Sequence, residues 1–257
     1  MKNIYCLLIV SFLCIFSLLP AGAQTLSEKD FQVLNMNDGL SDNDIHSVAK
    51  DTEGFMWFGT GSGLNRYDGR TFKVFRMPGI SYRRIDRVVS LDTDYLLLRS
   101  EQNLFLFDKK YERFLPVCDS VSKQPVMFAD FVADSDGSCW GVSSGELSEV
   151  NFPSSFVQDT AFVSVRHVVN NSQSDPFVVL CMGEDGKMLY CASRNGTVYR
   201  FTPGQRQLKK VCDGQLSSGR WVSSLLNDDS FIWIPTVGDG LYGYDLTNGK
   251  LHHWQYI

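Results

Sequence analysis

The side chains with reaction or recognition chemistry to offer are four histidines, several paired acids and a few arginine-bearing segments. Nucleophilic catalysis needs a Ser or Cys beside a His and an acid, yet no Gly-x-Ser-x-Gly elbow accompanies His46, His167, His252 or His253. Asp134-Ser-Asp-Gly137 opens like a calcium loop, but Gly145 stands where such a loop requires its closing acid, so it reads as a turn. His252 and His253 are adjacent, and neighbours on a strand point to opposite faces. Glu184-Asp185 and Asp228-Asp229 read as solvated hairpin tips, not as a glycosidase pair facing across a cleft. Without a Cys-x-x-Cys pair there is no basis for a zinc or redox site. The expectation is a chain with no catalytic residue, metal or cofactor.

Recognition is better served. Tyr82, Arg83 and Arg84 form one cluster, Arg220 and Trp221 a second, and Arg194 and Asp239 stand near turns. Guanidinium forks suit carboxylate or sulfate groups, and Tyr or Trp faces suit sugar rings. A solvated or interface loop is the competing reading of Tyr82-Arg-Arg84.

These residues need elements to hold them. The chain has 257 residues, 44% of them hydrophobic and 13% aromatic, enough for a packed core. Its net charge of −5 excludes a phosphate-tracking nucleic-acid binder. Residues 1–23 read as a secretory signal: Lys2, an apolar run from Ile4 to Leu19, then Pro20 and the small-residue site Ala21-Gly-Ala23. Five cysteines follow it, an odd number, so at least one stays unpaired within the chain. Cys181 and Cys191 flank a turn and would bridge only if the hairpin register brought them face to face.

A repeat organises residues 24–257. Bulky residues at Trp57, Leu97, Trp140, Tyr190 and Trp233 are each followed by an apolar anchor at Leu64, Leu104, Leu147, Val198 and Leu241, spaced 40, 43, 51 and 43 apart. Acids at Asp51, Asp92, Asp134, Asp185 and Asp228 keep nearly the same step, at 41, 42, 51 and 43. Short alternating segments joined by Gly/Asp turns at such a period predict an all-β propeller of four-stranded antiparallel blades. Five blades are expected, over 45–76, 85–117, 126–168, 177–211 and 221–255. In the first, strands are predicted at Ile45–Lys50, Phe55–Gly59, Leu64–Tyr67 and Phe72–Arg76, and in the last the opening strand at Trp221–Asn227. Residues 31–36 read as a lone outer strand, and the polar surplus between Asn151 and Asp175, with Asn170-Asn-Ser172, as surface loops.

Gly39-Leu-Ser-Asp-Asn-Asp-Ile-His-Ser-Val48, Asp51-Thr-Glu-Gly-Phe-Met-Trp-Phe-Gly-Thr60 and Gly63-Leu-Asn-Arg-Tyr-Asp-Gly69 closely resemble the two-component regulator propeller repeat. Trp233-Ile-Pro-Thr-Val-Gly-Asp-Gly-Leu-Tyr-Gly-Tyr-Asp245 matches it well, and the intervening blades keep mainly the frame. The resemblance implies the sensing region of an exported hybrid histidine kinase of Bacteroidota, in the periplasm, with the kinase core absent from these residues. It implies as partners a carbohydrate ligand, a downstream propeller, a three-Tyr domain and kinase domains; a homodimer is a further expectation, and nucleic acid is not. Family rings resemble seven-bladed ones, so the five blades are read as an open part of such a ring, with a closed five-bladed ring as the rival. Streptogramin lyases also resemble repeats of this kind, which leaves a lyase, or a structural or interaction propeller, as the alternatives. In a propeller, the loops between blades and those between second and third strands share one face. Tyr82, Arg83, Arg84, Arg194, Arg220, Trp221 and Asp239 are therefore the expected ligand-binding residues.

Overall fold

In the computed structural model the described residues are 32–79, 84–133, 139–153, 156, 159–170, 174–183, 186–214, 216, 219–228 and 230–255. The chain divides into two compact units, Met1–Leu34 and Asn35–Ile257, and every element below belongs to the second. The first sheet runs β1 (Ile45–Lys50), β2 (Met56–Thr60), β3 (Gly63–Tyr67) and β4 (Phe72–Phe75), in sequential antiparallel order. The second runs β5 (Arg87–Ser90), β6 (Tyr95–Ser100), β7 (Asn103–Asp108) and β8 (Arg113–Asp119). The third has β9 (Asp130–Ala133), β10 (Cys139–Ser143), β11 (Glu146–Asn151) and β12 (Ala161–Asn170); the fourth, β13 (Phe177–Met182), β14 (Leu189–Ser193), β15 (Val198–Thr202) and β16 (Gln207–Cys212). The fifth opens with two short pieces, β17 (Trp221–Val222) and β18 (Leu226–Asn227), both paired to β19 (Phe231–Val237), and continues through β20 (Leu241–Asp245) and β21 (Leu251–Trp254).

The repeat acids build the turns. Asp51 accepts the backbone N–H groups of Glu53 and Phe55 at 3.0 Å and the Trp57 indole N–H at 2.8 Å. Asp228 does the same in the fifth blade, accepting Phe231 N–H at 2.7 Å and the Trp233 indole N–H at 2.6 Å. Asp92 accepts Asp94 and Tyr95 N–H, both at 2.7 Å. A carboxylate that closes its own turn in this way pre-sets the hairpin. Asp134 and Asp185 lie outside the described residues. A second series at the turn between third and fourth strands carries the same chemistry: Asp68 toward Arg70 and Thr71, Asp108 toward Lys110 and Tyr111, and Asp245 toward Thr247 and Asn248.

Blade packing follows from the frame. Trp57 and Leu64 of the first blade pack with Ile85, Val88, Leu96 and Phe107 of the second. Leu97 and Leu104 point the other way, into a cluster with Phe128, Phe131 and Cys139 of the third. Trp140 and Leu147 meet Phe177, Leu180 and Cys191 of the fourth, and Tyr190 and Val198 meet Val222, Ile232 and Ile234 of the fifth. In the first four blades, each bulky residue and its apolar anchor therefore face the following blade. Burial of one such side chain contributes roughly 2–3 kcal/mol before entropy. Four clusters serve the four junctions, and among the described residues no fifth cluster joins the last blade to the first.

Several expectations are corrected. Gln32–Asn35 carry no strand, and Met36–Asp38 is a 3-10 turn; the Asn35 side chain accepts Asn37 N–H, Asp38 accepts Asn35 N–H, and Gly39 ends the turn at φ 104°. The expected outer strand over 31–36 thus gives way to a locally capped turn, with Phe31 outside the described residues. The polar surplus of 151–175 contains β12, ten residues long, whose Ala161 and Val163 are buried in alternation. The start of β12 also pairs in parallel with β8, Ala161 opposite Val117 and Val163 opposite Asp119, which merges the second and third blades into one eight-stranded sheet. The predicted strand Trp221–Asn227 is broken at Ser223–Leu225, opposite Pro235, which has no N–H for the ladder. Cys181 lies opposite Tyr190 and Cys191 opposite Leu180, so the two thiols face different neighbouring blades and both are free.

Candidate functional site

Each blade presents its first strand to the centre, and these strands enclose a cavity of about 480 Å³. His46, Arg87, Asp130, Leu180 and Ser223 bring one residue from each of the five blades to its wall, and Trp221 stands at its edge. Equivalent places follow from the register. The second strands end in a hydroxyl at Thr60, Ser100, Ser143 and Ser193, with Thr236 one residue before the end of β19, and the residue just before the hydroxyl faces the first strand as Gly59↔Ser47, Arg99↔Arg87, Val142↔Asp130 and Ala192↔Val179. In the fifth blade Pro235 holds this place, its carbonyl accepting from Ser223. Blade packing tolerates small or apolar residues here, and the second blade alone pairs two arginines.

Those arginines are only partly answered. Arg87 Nη1 lies 3.4 Å from Asp130 Oδ1, while Asp130 Oδ2 accepts Leu180 N–H at 3.1 Å from the fourth blade. Asp86 receives Arg84 Nε on one oxygen and Glu101 N–H, at 2.7 Å, on the other. The Nε atoms of both Arg87 and Arg99 are buried without a hydrogen-bond partner. Burial pushes the pKa of Arg99 down from its ordinary value, against the pull of Asp130 and Asp86. Burial likewise raises that of Asp130, opposed by Arg87 and the Leu180 N–H. His46 Nε2 is 3.3 Å from Asp44 Oδ2.

The rim is aromatic and open. Trp221 is 45% exposed and, with Arg194, Pro176 and Val178, also lines an adjoining hollow of about 260 Å³. The residues expected from sequence divide accordingly. Trp221 and Arg194 come together, and Arg84 acts one step removed, by holding Asp86 on the cavity wall. Arg220 is exposed and its guanidinium passes over Gly238. Asp239 is turned into its own blade, accepting Tyr242 O–H at 2.9 Å, beside a hollow formed by Thr236, Leu241 and Gln255. Tyr82 and Arg83 lie outside the described residues.

Arg87, Arg99 and Asp130 escaped sequence reasoning. The signal was a charge set in an apolar strand, Arg99 after Leu96-Leu-Leu98 and Asp130 before Phe131-Val132. The Gly39-Leu-Ser41 motif has a structural part: Ser41 N–H donates to Asn65 Oδ1 at 2.9 Å, Asn65 Nδ2 donates to Ser41 Oγ at 2.8 Å, and Thr60 Oγ1 lies 2.9 Å from Ser41 Oγ. This buried knot fixes the segment entering β1 and so places His46.

Other reactive-looking groups form no catalytic set among the described residues. Ser148 Oγ and Glu146 Oε2 both approach the same nitrogen of His167, Nδ1, at 2.9 and 3.1 Å, so the ring cannot relay a proton between them. His253 stacks on Tyr242, rings 3.9 Å apart, and its Nε2 is 2.7 Å from the Asp239 carbonyl oxygen. No group of three His, Cys, Asp or Glu among the described residues could hold a metal.

Residues 39–62 match the two-component regulator propeller family. Over 78 residues, 30% of this chain, the sequence is 37% identical to histidine kinase P4 of Formosa agariphila, and the match spans 5% of that protein. Among solved structures, the extracellular domain of a hybrid two-component system from B. thetaiotaomicron aligns with a TM-score of 0.63 at 17% identity, covering 86% of this chain and 31% of that one. A virginiamycin B lyase from Staphylococcus aureus aligns at TM-score 0.57 and 11% identity, covering 88% and 73%. The β-propeller domain of Myceliophteria thermophila Cps50 (Swd1) aligns at 0.59 and 13%, covering 81% and 72%. The chain thus carries a two-component regulator propeller repeat in its first blade and has the β-propeller fold. It spans about one twentieth of the histidine kinase and under a third of the B. thetaiotaomicron chain.

Proposed function

We propose that this chain is the ligand-sensing propeller portion of a two-component sensor, exported to the periplasm by residues 1–23, recognising a glycan-derived oligosaccharide and performing no catalysis of its own. The observation that carries the reading is the central cavity, walled by all five blades, with two half-buried arginines on its wall and an exposed tryptophan at its edge. An indole face offers a sugar ring an apolar platform, and polar groups behind it fix orientation. The repeat match and the kinase relative support a sensor, and a downstream propeller, a three-Tyr domain and kinase domains are its partners in this reading.

Signal transfer then requires two arrangements of the receptor with different affinity for the ligand, since only differential binding shifts an equilibrium. In this reading Arg194 and Trp221 make the outer contacts, and Tyr82, Arg83, Arg84, Arg220 and Asp239 are proposed as further ligand-binding residues. Calorimetry of the full-length ectodomain against a panel of oligosaccharides is the test. Binding that weakens about tenfold in Trp221→Ala is expected for the loss of one stacking platform. A panel without a binder, or a Trp221→Ala protein with unchanged affinity, overturns it.

A further inference from the structure

Resting on the sensing reading, we infer that the central cavity selects an acidic sugar, with Arg87 and Arg99 receiving its carboxylate or sulfate group. Arg87 and Arg99 are direct cross-strand partners on β5 and β6, and like charges so placed destabilise a sheet. The fold does not call for them: at the place of Arg99 the other blades carry Gly59, Val142, Ala192 and Pro235. The acids nearby do not fully answer them either. Asp86 is held by Arg84 and by Glu101 N–H, and Asp130 divides its oxygens between Arg87 and Leu180 N–H. Three guanidinium groups thus meet two carboxylates, and the two buried Nε–H groups of Arg87 and Arg99 have no acceptor.

A buried, unpartnered donor on a cation costs the fold free energy, and a ligand anion removes that cost on binding. Trp221 at the edge makes the anion part of a sugar instead of a free ion, because the indole face rewards a ring. Asp130 then acts as a counter-charge that keeps the arginine pair in place and lowers affinity for acidic ligands until they compete with it.

Calorimetry with a galacturonic acid trimer, its carboxyl-reduced neutral counterpart, a sulfated disaccharide, a neutral glucose trimer and inorganic sulfate tests the assignment on the full-length ectodomain. An acidic probe is expected to bind at least about tenfold tighter than its neutral counterpart, to weaken by a similar factor in Arg99→Gln, and to recover in part in Arg99→Lys. Asp130→Asn keeps an acceptor for Leu180 N–H and removes the competing charge, so it is expected to tighten the acidic probe and leave neutral sugars unmoved. That variant decides the matter if Arg99→Gln does not fold. Equal binding of the reduced trimer, an unchanged acidic affinity in folded Arg99→Gln, or sulfate binding as tightly as the acidic sugars overturns the inference. Binding of neutral sugars alone overturns it and leaves the sensing role standing; binding of no sugar removes both.

Discussion

Trp57 and Trp233 hold the same place in the first and fifth blades, and each gives its indole N–H to the acid that closes the preceding turn. Their surroundings differ. Trp57 is 1% exposed, with Phe75 and Phe107 at ring-centroid distances of 5.8 and 5.6 Å, the latter from the second blade. Lys109, also from the second blade, comes within 3.5 Å of Asp51 and 3.4 Å of Glu53. Trp233 is half-buried, stacks with Phe231 and lies tilted against Trp254, both of its own blade, ring centroids 5.0 and 5.5 Å away. Nearby Leu226 and Trp254 are exposed. A blade is therefore written locally, by acid, turn and tryptophan, while its burial is conferred by the neighbour it faces.

The largest test of that contrast is paired truncation. Trp57→Ala is expected to cost about 3–5 kcal/mol, as large-to-small changes in a sealed core do, and Trp233→Ala less than about half of that, since solvent already reaches it. Equal losses by urea denaturation would break the comparison. Next in size, Asp51→Ala leaves a buried indole N–H without its acceptor, takes from Lys109 one of its two carboxylate partners, and is expected to cost about 1–3 kcal/mol. The Asp228→Ala change is expected to be milder, because the acid is exposed.

Acid titration sharpens the same point. Burial alone would raise the pKa of Asp51, but the Trp57 indole, Lys109 and the Phe55 and Glu53 N–H groups together hold it below the ordinary 3.8. A carboxyl depressed in the native state stabilises it above the unfolded value, and that stabilisation is lost as pH falls through the lower native one. Asp51→Asn is thus expected to flatten the acid limb of the stability profile below about pH 4. The Asp228 carboxyl is also held low, by the Trp233 indole and Phe231 N–H, yet on an exposed acid the same substitution is expected to change that limb less.

The smallest effect is spectroscopic or chemical and leaves the fold intact. Acrylamide is expected to reach Trp233, Trp254 and Trp221 while sparing Trp57. Thiol reagents distinguish covered faces in the same way: Cys139 and Cys191 are fully enclosed and their thiols are pushed up by burial, whereas Cys118 is partly open. Labelling of Cys118 ahead of Cys139 and Cys191 in native protein is expected.

Much of the fold was legible because turn chemistry is short-range. Asp51-Thr-Glu-Gly54 and Asp68-Gly-Arg-Thr71 announce their hairpins, and β1 and the start of β4 lie where residue pattern puts them. β14 shows why alternation fails inside the array: Leu189 and Cys191 pack toward the third blade, Tyr190 and Ala192 toward the fifth, so every residue is buried. The parallel pairing of β8 with β12 joins residues far apart in sequence and leaves no local mark. The candidate site was half legible. Trp221 and Arg194 could be placed from loop position, but the facing of Arg87 and Arg99 depends on register, which a sequence pattern fixes poorly.

That parallel seam has a mechanical meaning. Backbone hydrogen bonds lock the second and third blades into a single stiff plate, with Ser120 N–H donating to the Val163 carbonyl at 2.7 Å beside the paired strands. Arg87, Arg99 and Asp130 ride on that plate together, whereas the Leu180 N–H that reaches Asp130 belongs to the next blade, across a joint packed by side chains. Any rocking of blades against one another is expected at the joints on either side of the plate, and the Asp130 to Leu180 contact crosses one of them.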